Sequence, residues 1–321
     1  MKVAFFGTPD FATVALEQLI DSKHEVVCVV TQPDKPAGRG RKITPPPVKV
    51  IAEREGIEVM QPISIKKEPE FGDRLAETGA EAAVVVAYGQ ILPGVLLDRL
   101  KYGFFNIHAS LLPKYRGAAP IQWAIAKGER KTGVTIMQID EGLDSGPIVA
   151  QREIDILEDD DAKSVHDMLS VVGANAMVEV LDDVDAKGEV ESKPQNHDEA
   201  TYAPLIKRED AGIDWKADPE SVICKVRGFA AWPGAFTETE KGEVKILGAG
   251  AADQDWVSVD WKDERVLPGT VVDVVKGQGI AVKAGNGLVL VTRLKPAGKK
   301  EMDAEAAANG GLIQLGTRFK A

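Results

Sequence analysis

The sequence predicts an α/β protein: a Rossmann-like, mostly parallel sheet in the N-terminal domain, followed by a smaller C-terminal β-barrel of OB-like type. Three observations carry that reading. The first part of the chain alternates short apolar runs with helix-period segments, the order that a parallel sheet with crossover helices requires. A polar stretch from Lys187 to Lys207, with little apolar periodicity, then reads as a linker. Beyond it, short β-like segments alternate with Gly-rich turns, the pattern of a small barrel. The expected division is therefore residues 1–186, a linker over 187–206, and a second domain over 207–321.

Taken in order, Lys2 to Phe6 is the first strand, an unbroken apolar run after its lysine. Gly7-Thr8-Pro9-Asp10 turns the chain into a helix over Phe11 to Asp21, with Asp10 as its cap after the proline. That turn lacks the G-x-G-x-x-G spacing and Pro9 removes a backbone donor, so no nicotinamide cofactor is expected. His24 to Thr31 is the second strand. Lys35, Arg39, Arg41, Lys42 and Lys49 follow with no acid among them, broken by Gly38, Gly40 and Pro45-Pro46-Pro47, which reads as a mobile basic loop. A helix over Val48 to Glu55, a short strand over Glu58 to Met60, a helix across residues 68–78 and a β-rich run from Ala82 to Tyr88 come next. Tyr102 to His108 is a strand, Ile121 to Lys127 a helix, and Gly133 to Gln138 and Ile148 to Ile156 are strands. Asp161 to Asp185 is a long helix, with Ser164, Val165, Met168, Leu169 and Val172 at helical spacing. In the second domain a helix over Pro219 to Gly228 precedes β-segments at Val244 to Leu247, Gly269 to Val275, Gly279 to Lys283 and Gly287 to Leu294.

Composition bounds the function. With 44% hydrophobic residues over 321, two cores can be built. No apolar run approaches a membrane span, and Met1-Lys2 leads straight into a strand rather than a signal peptide. A soluble, cytoplasmic protein with no membrane partner is expected, and a monomer. Cys28 and Cys224 lie far apart in apolar contexts without metal-ligand spacing, so neither a disulfide nor a metal is expected. The net charge of -11 argues at first sight against nucleic acid. Its distribution matters more: residues 1–206 carry 22 basic and 33 acidic side chains, residues 207–321 carry 17 of each, and the basic loop interrupts the acidic part.

The richest chemistry lies around Asn106-Ile107-His108 and Leu143-Asp144-Ser145-Gly146. On a strand, a period of two puts Asn106 and His108 on one face at its C-terminal end, the edge where open α/β sheets bind ligands. A donating amide, an imidazole and a carboxylate from a second loop are suited to acyl transfer, where a tetrahedral oxyanion must be stabilised and a proton moved. Each residue also has a structural reading. His108 can be a strand histidine satisfied by backbone, Asp144 can brace its turn, and Asn106 can satisfy the strand end. Arg116 is open between an anionic group and a structural ion pair.

Several segments together carry a resemblance. They are Gly7-Thr8-Pro9-Asp10-Phe11, Gln32-Pro33-Asp34-Lys35-Pro36-Ala37-Gly38-Arg39-Gly40, Asn106-Ile107-His108, Ser110-Leu111-Leu112-Pro113, Arg116-Gly117-Ala118-Ala119-Pro120, Gly133-Val134-Thr135-Ile136-Met137 and Leu143-Asp144-Ser145-Gly146. In the second half Ile213-Asp214-Trp215, Arg227-Gly228-Phe229, Trp232-Pro233-Gly234-Ala235 and Leu294-Lys295-Pro296-Ala297-Gly298-Lys299-Lys300 belong with them. The chain resembles the methionyl-tRNA formyltransferases, a branch of the 10-formyltetrahydrofolate-dependent formyltransferase family. Asn-x-His and Ser-Leu-Leu-Pro are shared by other branches; the basic loop and the second domain make the combination specific.

The resemblance implies formyl transfer from 10-formyltetrahydrofolate to the α-amino group of methionyl initiator tRNA, in support of translation initiation. It implies Asn106, His108 and Asp144 as the catalytic set, and Ser110, Leu111, Leu112 and Pro113 as a wall of the folate pocket. It further implies Lys35, Arg39, Arg41 and Lys42, together with Lys295, Lys299 and Lys300, as tRNA contacts. A formyltransferase for a small amine, such as a sugar nucleotide or glycinamide ribonucleotide, would keep the catalytic set without needing the basic loop or the second domain. A non-catalytic RNA-binding protein would not need the catalytic set.

Overall fold

The first strand, β1 (Lys2–Gly7), is buried beyond its first residue because its two faces meet two different helical layers. Val3 and Phe5 pack with the apolar faces of α1 (Asp10–Ile20), α2 (Pro47–Arg54) and α6 (Ala162–Lys187). Ala4 and Phe6 pack on the other side with α3 (Phe71–Glu77) and α4 (Gly94–Leu97). A strand buried on both faces reads as a continuous apolar run, which is what the sequence shows there. The computed structural model describes residues 1–37, 40 and 42–320.

The remaining strands of this unit are β2 (Glu25–Val30), β3 (Lys35–Ala37), β4 (Lys42–Thr44), β5 (Glu58–Met60), β6 (Ala82–Val86), β7 (Phe104–His108), β8 (Lys131–Gln138) and β9 (Ile148–Asp155). Seven of the nine form one sheet in the order β5-β2-β1-β6-β7-β8-β9. Pairing is parallel from β5 to β7 and antiparallel at β7–β8 and β8–β9. The order reverses between β1 and β6, and the crevice outside the C-terminal ends of such strands is where open sheets receive ligands. Phe6 anchors this edge from below, edge-on to Phe71, Tyr88 and Phe104.

Three local expectations change. Asp10 is the first residue of α1 rather than its cap; Pro9 holds the cap position without a side-chain bond, and the acid sits in the first turn, where the helix dipole favours it. The basic segment is a short hairpin, with Lys35, Pro36 and Ala37 paired antiparallel to Thr44, Ile43 and Lys42. Its root is pinned where Lys49 Nζ reaches both oxygens of Asp34 and Gln61 Oε1, each at 2.9 Å. Lys49 therefore braces the hairpin rather than adding to its open charge. Arg39 and Arg41 lie outside the described residues. Finally, α4 forms where the sequence predicts no element, since four residues are too few to show a helical period.

The chain divides into two compact units. Met1–Pro120, Lys131–Asp155 and His166–Ala203 make the sheet unit; Ile121–Arg130, Ile156–Val165 and Pro204–Ala321 make the second. Residues 187–203, which composition reads as linker, group with the sheet because backbone bonds replace side-chain periodicity there. Lys193 exchanges bonds with Ile148 (2.7 and 2.8 Å), and Ala203 N donates to Arg116 O at 2.7 Å.

The second unit contains the short helix α5 (Pro120–Ala126) except for its first residue, then α7 (Pro219–Gly228), β10 (Phe236–Thr239), β11 (Gly242–Ala251), β12 (Val271–Val275), β13 (Gly279–Ala284), β14 (Gly287–Pro296), β15 (Met302–Asp303) and α8 (Ala304–Asn309). The antiparallel sheet runs β10-β11-β14-β13-β12, with β15 on β14. The segment after α8 closes it, since Lys320 pairs with Glu238 of β10 while Thr317 O accepts from Val271 N of β12. The interior holds Ile246, Val282, Val291 and Phe319 with Trp215, whose buried indole N–H donates to Thr237 Oγ1 at 3.0 Å. Among the described residues no helix is long and apolar enough to cross a membrane.

Candidate active site

Along β7 the side chains alternate as a strand requires. Phe105 and Ile107 enter the α1–α6 layer, and Phe104 enters the α3–α4 layer. Asn106 and His108 therefore share the face of Phe104, at the end of the strand. Asn106 is half-buried, and its carboxamide makes no hydrogen bond among the described residues. The amide is left available to a ligand.

His108 is 5% exposed and held from both sides. Its Nε2 lies 3.0 Å from the carbonyl oxygen of Tyr115. A carbonyl only accepts, so Nε2 carries the hydrogen. Nδ1 then faces Asp144 Oδ2 at 3.6 Å, too long for a direct hydrogen bond but within reach of a charge interaction. The same Oδ2 accepts from Gly117 N at 2.8 Å, which aims the carboxylate at the ring.

The loops that deliver these groups are conformationally strained. Asp144 (φ 48°) and Tyr115 (φ 60°) both occupy the left-handed region, at a cost of about 1 kcal/mol or more for a residue with a side chain. Gly117 is also there, at φ 119°, and a Cβ on it would stand 2.7 Å from Ala203 O. The Asp144 loop is shaped from within: Ser145 Oγ donates to Asp140 (2.9 and 3.0 Å) and Gly142 N donates to Asp140 Oδ1 at 3.0 Å. A Cβ on Gly146 would collide with Gln138 O.

Ser110 to Pro113 begins one residue beyond β7, and much of it is engaged internally. Ser110 is fully buried; its Oγ donates to Lys114 O at 2.6 Å and its carbonyl accepts from Thr135 Oγ1 at 2.7 Å. Leu112 is buried and its N–H donates to Thr135 Oγ1 at 3.0 Å. Leu111 and Pro113 remain half-buried. Arg116 is 4% exposed and meets no acid among the described residues; Nε and Nη2 donate to Gln195 Oε1 (3.2 and 2.6 Å), and Nη2 to His197 Nδ1 at 3.1 Å.

Lys35 and Lys42 are exposed on the hairpin that follows β2, at the same edge of the parallel strands as His108; Lys35 Nζ donates to Gln32 Oε1 at 3.2 Å. Lys295, Lys299 and Lys300 are exposed in the second unit, Lys295 opposite Lys245 in the β11–β14 pair. Tyr115, Gly117 and Gln195 escaped the sequence reading as parts of the site. Tyr115 and Gly117 act through backbone atoms, and Gln195 sits in a polar run without a pattern.

The chain matches the family model described as formyl transferase over residues 1–181 and that of the formyl transferase C-terminal domain over residues 205–312. A methionyl-tRNA formyltransferase of Sulfurihydrogenibium sp. is 43% identical over 320 residues, covering 100% of both chains. The methionyl-tRNA formyltransferase of Geobacter metallireducens is 43% identical over 319 residues, 99% of this chain and 98% of that one. Among solved structures, HypX from Aquifex aeolicus in complex with tetrahydrofolic acid shares the fold with a TM-score of 0.63 at 19% identity, over 98% of this chain and 48% of its own.

Proposed function

This chain belongs to the formyl transferase family, and we propose that Asn106, His108 and Asp144 carry its reaction, transfer of a formyl group from 10-formyltetrahydrofolate to the α-amino group of methionyl initiator tRNA. It is an enzyme of one-carbon transfer, and the two relatives above, which match it end to end, are methionyl-tRNA formyltransferases. The observation that carries the site is a histidine with one nitrogen fixed on a carbonyl and the other turned to a carboxylate, on the same strand face as an unengaged amide.

The folate substrate brings a formyl carbon activated toward amines. As the methionyl nitrogen bonds to that carbon, the formyl oxygen gains negative charge, and Asn106 donates to it. His108 is already engaged at Nε2, so Nδ1 is the ring position that holds or releases a proton, with Asp144 opposite. The amine proton leaves through this pair as the carbon–nitrogen bond to the folate breaks, and the departing folate nitrogen regains a proton, so that charge and atoms balance. Holding both substrates at this edge replaces a bimolecular encounter with a positioned one.

Leu111 and Pro113 offer apolar surface to the folate, braced by Ser110 and Leu112. Lys35 and Lys42, with Arg39 and Arg41, meet the acceptor end of the tRNA, and Lys295, Lys299 and Lys300 its stem. A match across the second domain favours tRNA over a small amine. A substrate that belongs to translation supports a cytoplasmic location. The deciding experiment is formylation of methionyl initiator tRNA by the intact protein and by His108→Ala. Product that requires charged tRNA and collapses in the variant supports the reading. Consumption of the folate without formylmethionine would turn it toward a small amine.

A further inference from the structure

Gln195 is the one buried residue between Lys187 and Ile206 apart from Ala203 and Ile206, and it is 6% exposed within a polar run. Its carboxamide is fully engaged. Nε2 donates to Asp144 O at 2.9 Å and to Gly146 O at 2.7 Å, while Oε1 accepts from Nε and Nη2 of Arg116. Arginine only donates and carbonyls only accept, so the amide has one possible orientation.

The two ends of this amide grip the two loops of the site. On one side is the strained Asp144 turn; on the other is Arg116, between Tyr115, whose carbonyl holds His108 Nε2, and Gly117, whose N–H holds Asp144 Oδ2. The strap that carries Gln195 is itself fastened to the same loop. Tyr115 N donates to Thr201 Oγ1 and Arg116 N to Thr201 O, both at 2.8 Å. Building on the reading of Asn106, His108 and Asp144 above, we propose that Gln195 is a positioning residue for formyl transfer, setting the register between His108 and Asp144 by tying their loops through one amide.

Substitution separates the two halves of the amide. Gln195→Glu keeps the size and the acceptor for Arg116 but loses the donor, placing an oxygen against the Asp144 and Gly146 carbonyls. Gln195→Ala loses both. For each, kcat falls by about 10²-fold, as for a misplacement near 1 Å. KM for folate and for tRNA stays within about twofold, because no substrate contact is removed. Gln195→Glu retains a partner for the buried Arg116, so it remains informative if Gln195→Ala does not fold. Asn196→Ala, on an exposed neighbour, keeps wild-type rates. Steady-state kinetics with each substrate varied, together with melting curves, reads all three beside wild type and His108→Ala. Wild-type kcat in Gln195→Glu, or a loss confined to KM, overturns the positioning role. An inactive wild type overturns the active-site reading and this inference with it, whereas an active wild type with inactive His108→Ala isolates Gln195.

Discussion

His108 Nδ1 and Asp144 Oδ2 face each other at 3.6 Å while the second ring nitrogen is committed to the Tyr115 carbonyl. That arrangement leaves one proton-exchanging position on the ring and one carboxylate beside it. Asp144→Asn fits the same space and can still accept from Gly117 N, so the turn survives without its charge. We expect kcat to fall by about 10²–10⁴-fold with both KM values little changed. Steady-state rates with each substrate varied check this; a wild-type kcat would reduce Asp144 to a brace for its turn.

In the proposed site Asn106 supplies a donor and little else, since its carboxamide makes no hydrogen bond among the described residues. Asn106→Ala should lower kcat by about 10²–10³-fold, roughly 3–4 kcal/mol of transition-state stabilisation, and leave the melting temperature near wild type. Single-turnover formyl transfer at saturating folate measures it. Equal losses in kcat and stability would mean that the amide serves the strand end.

Asn106 and His108 were legible because a strand's period of two is written locally. The alternation of strand and helix likewise exposed the sheet, since its central strands β1, β2 and β6 each carry an apolar run. What the sequence hid is long-range or made by the backbone. Gln195 meets Asp144 51 residues away and Arg116 79 residues away, and nothing in Lys193-Pro194-Gln195-Asn196 distinguishes a buried amide from a solvated one. Tyr115 and Gly117 act through C=O and N–H groups that every residue other than proline possesses. The Gly and Pro residues of the hairpin read as mobility in the sequence, while Gln61, which helps to pin its root, lies 12 residues beyond Lys49. Barrel closure by Thr317 to Lys320 is also main-chain pairing, invisible to side-chain patterns.

Gly117 combines two requirements that any side chain violates: φ of 119° and a carbonyl 2.7 Å from where Cβ would stand. Gly56→Ala is the natural comparison, with φ of 69° and no atom within 4 Å of its Cβ. Gly56→Ala should cost about 1 kcal/mol from the backbone alone. Gly117→Ala should cost more, about 1–3 kcal/mol, and lower kcat because the N–H that aims Asp144 is displaced. Urea unfolding with activity on the same samples compares them. Equal costs would mean that the strap yields freely.

Burial pushes the Cys28 thiol from about 9 up to about 12, with the negative charge of Glu58, its partner across β2 and β5, acting in the same direction. Burial raises Cys224 as well. Both thiols should be inert to a thiol-reactive dye at pH 8 in the native protein and react once it is unfolded. Between about 9 and about 12 the unfolded chain has lost the Cys28 proton that the folded chain still holds, so stability falls as pH rises through that window. Cys28→Ala should flatten this alkaline loss in urea melts; an unchanged slope would assign it to other groups.

Lys42 stands exposed on the hairpin at the edge that presents His108, whereas Lys295, Lys299 and Lys300 stand exposed in the second unit. If each meets a phosphate, removing it releases one less counterion, and log(kcat/KM) for tRNA should fall less steeply with log salt by roughly 0.7–0.9 per lysine. Lys42→Ala should therefore flatten the slope by about one contact, and the triple Lys295→Ala, Lys299→Ala, Lys300→Ala variant by up to three times as much. The KM for folate should stay put in both, because a small substrate gathers few counterions. Kinetics between low and physiological salt separate the two surfaces. A parallel drop at every salt concentration would mean that the lysines act through shape, and a drop with folate but not tRNA would remove them from the nucleic-acid path.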